Sequence, residues 1–203
     1  MKRALAVTLV ALALAAPASA ETRNLRGFTA INVSDGIDLD ITASSPYAVE
    51  VTGRDAARVE TVVEDGTLRI RQRNRSWFGR NDLNANVRVN LPQLNALAAS
   101  RGVSVAATGI EAETFDLSAA MGADVRVAGT CGALDLSAAM GASVRAGDLH
   151  CRTADVSAAM GADARIFVTE TYEGSASMGA SINVAGDGAS RGRSTAMGGS
   201  ITD

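Results

Sequence analysis

Six copies of one short phrase, almost evenly spaced, constrain this chain more than any other feature. Ser-Ala-Ala-Met-Gly-Ala occurs at Ser118–Ala123, Ser137–Ala142 and Ser157–Ala162. Looser copies stand at Ser175–Ala180 and Ser194–Gly199, and a divergent one, Ala98–Val103, precedes them all. Their glycines, Gly102, Gly122, Gly141, Gly161, Gly179 and Gly198, are separated by 20, 19, 20, 18 and 19 residues. One coil of that length cannot bury its apolar side alone, but coils stacked about 4.8 Å apart share a continuous core. Parallel connections within a sheet are overwhelmingly right-handed. The expected fold is therefore all-β, a right-handed parallel β-helix with coils of about 19 residues, each holding three short strands and three turns.

Within a repeat, strict alternation sorts the side chains. Phe115, Leu117, Ala119, Met121, Ala123, Val125 and Val127 fall on one face, and Asp116, Ser118, Ala120, Asp124 and Arg126 on the other. The next copies keep this parity, with Leu134, Leu136 and Met140, then Val156, Met160 and Ile166, on the inner face. Regular repeats run over 98–203. The stretch Thr22–Leu97 is less regular but alternates at Ala30–Val33, Ile37–Ile41, Ala48–Val51, Arg58–Val63, Leu68–Arg73 and Ala85–Asn90. It reads as wider, irregular coils closing the N-terminal end of one domain, 21–203.

Residues 1–20 stand apart. Lys2 and Arg3, an apolar run Ala4–Ala16 and the small-residue site Ala18-Ser19-Ala20 form a signal-peptide pattern. The apolar run is too short to span a bilayer as a helix, and no second long one follows, so no membrane span is expected in the mature chain. A periplasmic or secreted location is expected. Without Lys2 and Arg3, 17 basic residues, all arginine, face 22 acidic ones, a net charge of −5. That balance, with no basic block, argues against nucleic acid as a partner.

Stacked coils turn each repeat position into a column. Cys131 and Cys151 precede Met140 and Met160 by the same nine residues, so they occupy equivalent positions in adjacent coils, within disulfide reach. Export permits the bond, which would stabilise by roughly 3 kcal/mol in the chain-entropy treatment. His150 beside them makes too poor a ligand set for a metal. Met121, Met140, Met160, Met178 and Met197 form a second column. Clustered thioethers suit cuprous ion, but parity turns these side chains inward, where they fill a corner of the core.

The outward columns are polar. Asp116, Asp135 and Asp155, continued by Glu173, form an acidic column that calcium or neighbouring arginines can neutralise. Arg126, Arg145 and Arg165 form a basic one interleaved with Asp124 and Asp163, the pattern of a solvated surface. Ser118, Ser137, Ser157, Ser175 and Ser194 make a flat strip of small groups able to receive another flat surface. Outside the repeats, Arg75, Trp77 and Phe78 mark an arginine-rich loop that is a candidate recognition site, or else a plug over the core.

The chain also resembles the GIN-domain family of autotransporter-adhesin head domains. The resemblance rests on 26–33 (Arg-Gly-Phe-Thr-Ala-Ile-Asn-Val), on 49–53 (Val-Glu-Val-Thr-Gly) and on 63–70 (Val-Glu-Asp-Gly-Thr-Leu-Arg-Ile). It continues through 89–94 (Val-Asn-Leu-Pro-Gln-Leu), 100–104 (Ser-Arg-Gly-Val-Ser) and each Met-Gly-Ala copy. It implies a β-helical fold, a surface or envelope setting and no enzyme activity. Methionine before the repeat glycine departs from the family pattern, where a small polar residue is expected.

These readings lead to a non-enzymatic exported binding or scaffold module, adhesin-like, without cofactor, whose partner is an envelope protein or glycan. Homo-oligomers are compatible with it. One alternative is a carbohydrate-active enzyme using Asp116/Asp135 or Asp155/Arg165. The other is a calcium-dependent module on the acidic column.

Overall fold

A computed structural model of the chain, which describes residues 20–73 and 83–203, consists almost wholly of strands. Eight short ones come first: β1 (Glu21–Arg23), β2 (Ala30–Ser34), β3 (Asp38–Ala43), β4 (Ala48–Thr52), β5 (Val59–Glu64), β6 (Thr67–Gln72), β7 (Asn86–Leu91) and β8 (Ala96–Ser100). Four long ones follow: β9 (Ser104–Ala120), β10 (Asp124–Ala139), β11 (Ser143–Ala159) and β12 (Asp163–Ser177). The chain closes with β13 (Ser181–Ala185), β14 (Ala189–Ala196) and β15 (Ser200–Thr202). All of them belong to one hydrogen-bonded sheet coiled into a β-solenoid. Among the described residues the only helical segment is a 3-10 turn at Ala56–Arg58.

Each long strand bends around the solenoid instead of breaking into three. In β10, residues 124–127 lie on one side, 129–131 on a short second side and 133–139 on a third, every segment parallel to β9 below and β11 above. We call these the arginine side, the cystine side and the serine side. The first bend is a register shift between Val127 and Gly129, not a tight turn. Gly129 has φ 144°, and a Cβ there would collide with the Ile110 carbonyl, so a side chain would force the coils apart.

The remaining corner, from the serine side to the arginine side, is a tight turn. Met121, Met140, Met160, Met178 and Met197 have φ between 49° and 54°, and the glycine after each lies between 70° and 79°. Ala123 N–H donates to the Ala120 carbonyl at 3.3 Å, and the same bond recurs at Ala142, Ala162, Ala180 and Gly199. Positive φ at both central residues is the primed turn that elsewhere favours Asn-Gly or Asp-Gly. The first corner, Asp35-Gly36, follows that preference. The turns also stack: the amides of Gly122, Gly141, Gly161 and Gly179 donate to the next coil's methionine carbonyl at 3.0–3.2 Å.

The core runs up the inside as columns. Leu117, Leu136 and Val156 are in register and buried, as are Val105, Val125, Val144, Ala164 and Ile182. Each buried leucine or valine contributes about 1.5–3 kcal/mol relative to exposure. Gly174 continues the leucine column, and the gap where its side chain would stand is taken by Ile201 from the last coil.

All the strands anticipated before residue 97 form, but their directions are mixed. β2, β3, β6, β7 and β8 stack in parallel with the repeats. β4 runs antiparallel to β7, β1 antiparallel to β4, and β5 antiparallel to β6. The sheet beyond the first coils is thus extended by antiparallel strands and not by further coils.

Candidate functional site

The methionine column corrects the inward assignment made from parity. Ala119 and Ala123 are buried as alternation requires, but Met121, Met140, Met160 and Met178 are 43–47% exposed and Met197 is 82% exposed. Two successive residues with positive φ turn the chain within the turn itself, so the side chain between two buried alanines swings to the outside. The result is an external ladder of thioethers along one edge. Arg101 occupies the equivalent turn position one coil earlier, with φ 60°, and Asp35 one before that. Arg101 Nη1 donates to Asp35 Oδ1 at 3.1 Å, closing that end of the ladder with an ion pair. Arg101 was also the signal that sequence reasoning overlooked: a charged residue in the first copy marks the column as outward.

The serine side is flat. Its central outward column runs Asn32, Ala98, Ser118, Ser137, Ser157, Ser175 and Ser194, strand to strand in register. The neighbouring column begins Ala30, Ala96 and continues as Asp116, Asp135, Asp155 and Glu173. The acidic residues are therefore brought together as expected, exposed and one strand spacing apart. They make no ion pair among the described residues. They line a shallow open groove of about 430 Å³ with Thr114, Thr153, Thr171 and Arg191. No group of three or more His, Cys, Asp or Glu side chains among the described residues is arranged to hold a metal ion.

The arginine side carries one ion pair between coils among the described residues. Arg126, Arg145 and Arg165 stack in register, and Arg145 Nη1 donates to Asp124 Oδ1 at 2.7 Å, from one coil to the one before. Arg165 belongs to this side and Asp155 to the serine side, so the structure separates the pair considered for acid–base chemistry.

On the cystine side, Cys131 and Cys151 are register partners and form the anticipated disulfide, with Cα atoms 4.5 Å apart. His150 is stacked on Phe167, ring centroids 4.3 Å apart. Arg75, Trp77 and Phe78, the candidate recognition loop, lie outside the described residues, as does the signal-peptide pattern up to residue 19.

The groove ends against a small polar cluster. Tyr172 is buried, and its hydroxyl donates to Asp203 Oδ1 at 2.8 Å. The Arg193 guanidinium lies 5.4 Å from the Tyr172 ring centroid and also pairs with Asp203. Burial, reinforced by the carboxylate, pushes the Tyr172 hydroxyl above its usual range. The same hydrogen bond, aided by Arg193, holds Asp203 below the ordinary aspartate value. This cluster ties the last strand to β12.

Two solved structures share the fold. One, described as a "putative adhesin" from Bacteroides fragilis, aligns with a TM-score of 0.68 at 18% identity, covering 91% of this chain and 94% of that one. Another "putative adhesin", from Parabacteroides merdae, gives a TM-score of 0.54 at 14% identity over 91% and 95% of the two chains. At such identities the likeness speaks for the fold alone. No functionally curated protein matches the chain in sequence. Among the described residues no helix is long and apolar enough to cross a membrane. The sequence over residues 27–188 matches the family described as "Putative auto-transporter adhesin, head GIN domain", and the chain belongs to that family.

Proposed function

We propose that this protein is a non-enzymatic, exported binding or scaffold module, adhesin-like, that meets an envelope glycan or protein along its serine side. One observation carries the reading: the serine column is exposed and in register across consecutive coils, with no bulky side chain in it from Asn32 to Ser194. A rigid, flat ladder repeating at about 4.8 Å suits an extended partner, because successive rungs offer the same contact. The acidic column beside it favours a partner that is neutral or basic at the point of contact.

Family membership supports a role in adhesion more than in catalysis. The carbohydrate-active alternative loses support because its Asp155/Arg165 pair is divided between two sides. Asp116 and Asp135 stand together, but in an open groove without the walls that position a sugar. The calcium alternative finds no clustered ligand set among the described residues.

The test is a binding panel of cell-envelope glycans and envelope proteins, read by biolayer interferometry. Wild-type protein is expected to retain at least one member of the panel. Ser137→Arg with Ser157→Arg, which roughens the ladder without touching the core, is expected to abolish that binding at an unchanged Tm. A wild-type chain that binds nothing in the panel, or a double variant that binds equally well, rejects the serine side as the contact surface.

A further inference from the structure

The exposed methionines are not explained by anything local. A primed turn asks for Asn, Asp or Gly at its first central position, and an ordinary L-residue there is strained by roughly 1–2 kcal/mol. The first corner uses Asp35, yet the last five place methionine at the same strained position. Core packing does not require it either, since four of these side chains are 43–47% exposed and the fifth 82%. What five turns in succession share is a methionine side chain open in part to solvent.

We propose that the ladder formed by Met121, Met140, Met160 and Met178 is a binding site for a soft monovalent metal cation, cuprous ion. The stacked turns fix the spacing. Hydrogen bonds between successive corners, 3.0–3.1 Å from glycine N–H to methionine carbonyl, hold adjacent rungs one strand spacing, about 4.8 Å, apart. Metal–sulfur bonds of about 2.3 Å place two sulfurs on opposite sides of one ion roughly 4.6 Å apart. Adjacent thioethers on flexible three-bond stems are therefore spaced to bridge an ion.

The surroundings suit this ligand. A built Cβ at Gly122, Gly141 or Gly161 meets nothing within 4 Å, so the space beside each methionine is open. Alanine and glycine flank Met121, Met140 and Met160 in sequence, Ser177 and Gly179 flank Met178, and the methionine carbonyls of these rungs already accept hydrogen bonds. Neutral thioethers without hard oxygen or nitrogen partners select a soft ion over calcium, magnesium or zinc. Arg101, at the equivalent turn position one coil before Met121, is tied to Asp35.

An apolar docking edge would be served as well by leucine, and that distinction makes the inference testable. The oxidised full-length chain is titrated anaerobically against the cuprous bicinchoninate complex, and separately with silver nitrate in chloride-free buffer. A thiol count of zero before and after excludes ligation by Cys131 and Cys151. The expected result is withdrawal of one to two cuprous ions per chain from the probe, and a matching uptake of silver. Met140→Leu with Met160→Leu keeps bulk and turn geometry, and is expected to bind at least ~10-fold more weakly, at the lower end of what loss of ligand support costs, with unchanged circular dichroism. Failure of the wild-type chain to withdraw cuprous ion overturns the proposal. So does equal affinity in the leucine variant. Either result leaves the serine-side reading untouched, because no serine-side residue takes part in the titration.

Discussion

Two columns of apolar side chains climb this solenoid with the same period and only three residues between them. Leu117, Leu136 and Val156 lie in the straight part of the coil and are sealed from water, with Leu136 at 0% exposure. Met121, Met140 and Met160 lie at the corner, and nearly half of each side chain faces solvent. The strand segment obeys a period of two because its backbone repeats the same extended conformation. The corner inserts two residues that both have positive φ, and the rule linking position to side ends there. Two columns of apolar residues thus acquire different roles: one holds the stack together, while the other is displayed.

The sharpest way to test that contrast is to cut into the buried column. Leu136→Ala removes a fully buried side chain between Leu117 and Val156, with rigid backbone above and below that cannot collapse into the space. It is expected to lower unfolding free energy by about 2–5 kcal/mol, read from the urea midpoint at unchanged m. A loss below about 1 kcal/mol, the range of surface substitutions, would mean the coils repack freely, and the difference between strand and corner would lose its basis.

The corner itself is probed by Gly141→Ala. Nothing lies within 4 Å of the added methyl, so no clash contributes, and the whole cost comes from holding alanine at φ 71°. A loss of about 1–2 kcal/mol is expected. A neutral result would indicate that the turn relaxes to negative φ, and with it the outward orientation of the neighbouring methionine.

What the chain discloses before folding follows the same division. The period, the columns and the Cys131–Cys151 bond were legible because each depends only on counting residues between equivalent positions. The sides of Leu136 and Ser137 were legible because both sit within unbroken strand. The methionines were misplaced because parity was carried straight through a primed turn. Asp35-Gly36 and Arg101-Gly102 held the correction, since an acid and an arginine at the equivalent position are hard to reconcile with a buried column. The antiparallel course of β1, β4 and β5 left no comparable trace. Alternation reports which face of a strand is buried, but not the direction of the strand beside it. The separation of Asp155 from Arg165 was hidden for a related reason, because the chain from one to the other passes through the primed turn at Met160-Gly161, from the serine side of β11 to the arginine side of β12.

The smallest expected effect is the most discriminating. Met140→Asn places at the corner a residue that tolerates positive φ, which favours the variant by about 1 kcal/mol. It also gives up the contacts of the half of the methionine that is covered, and half of a side chain worth about 1.5–3 kcal/mol is a loss of roughly 1 kcal/mol. The two contributions oppose each other, so the net change in unfolding free energy is expected to stay within about 0.5 kcal/mol of zero, the scale of surface substitutions. Differential scanning calorimetry beside Leu136→Ala resolves this easily, as one variant melts near wild type and the other far below it. Were Met140→Asn to cost 2 kcal/mol or more, in the range of core truncations, methionine would be part of the core after all. The thioether ladder would then be packing material and not a displayed edge.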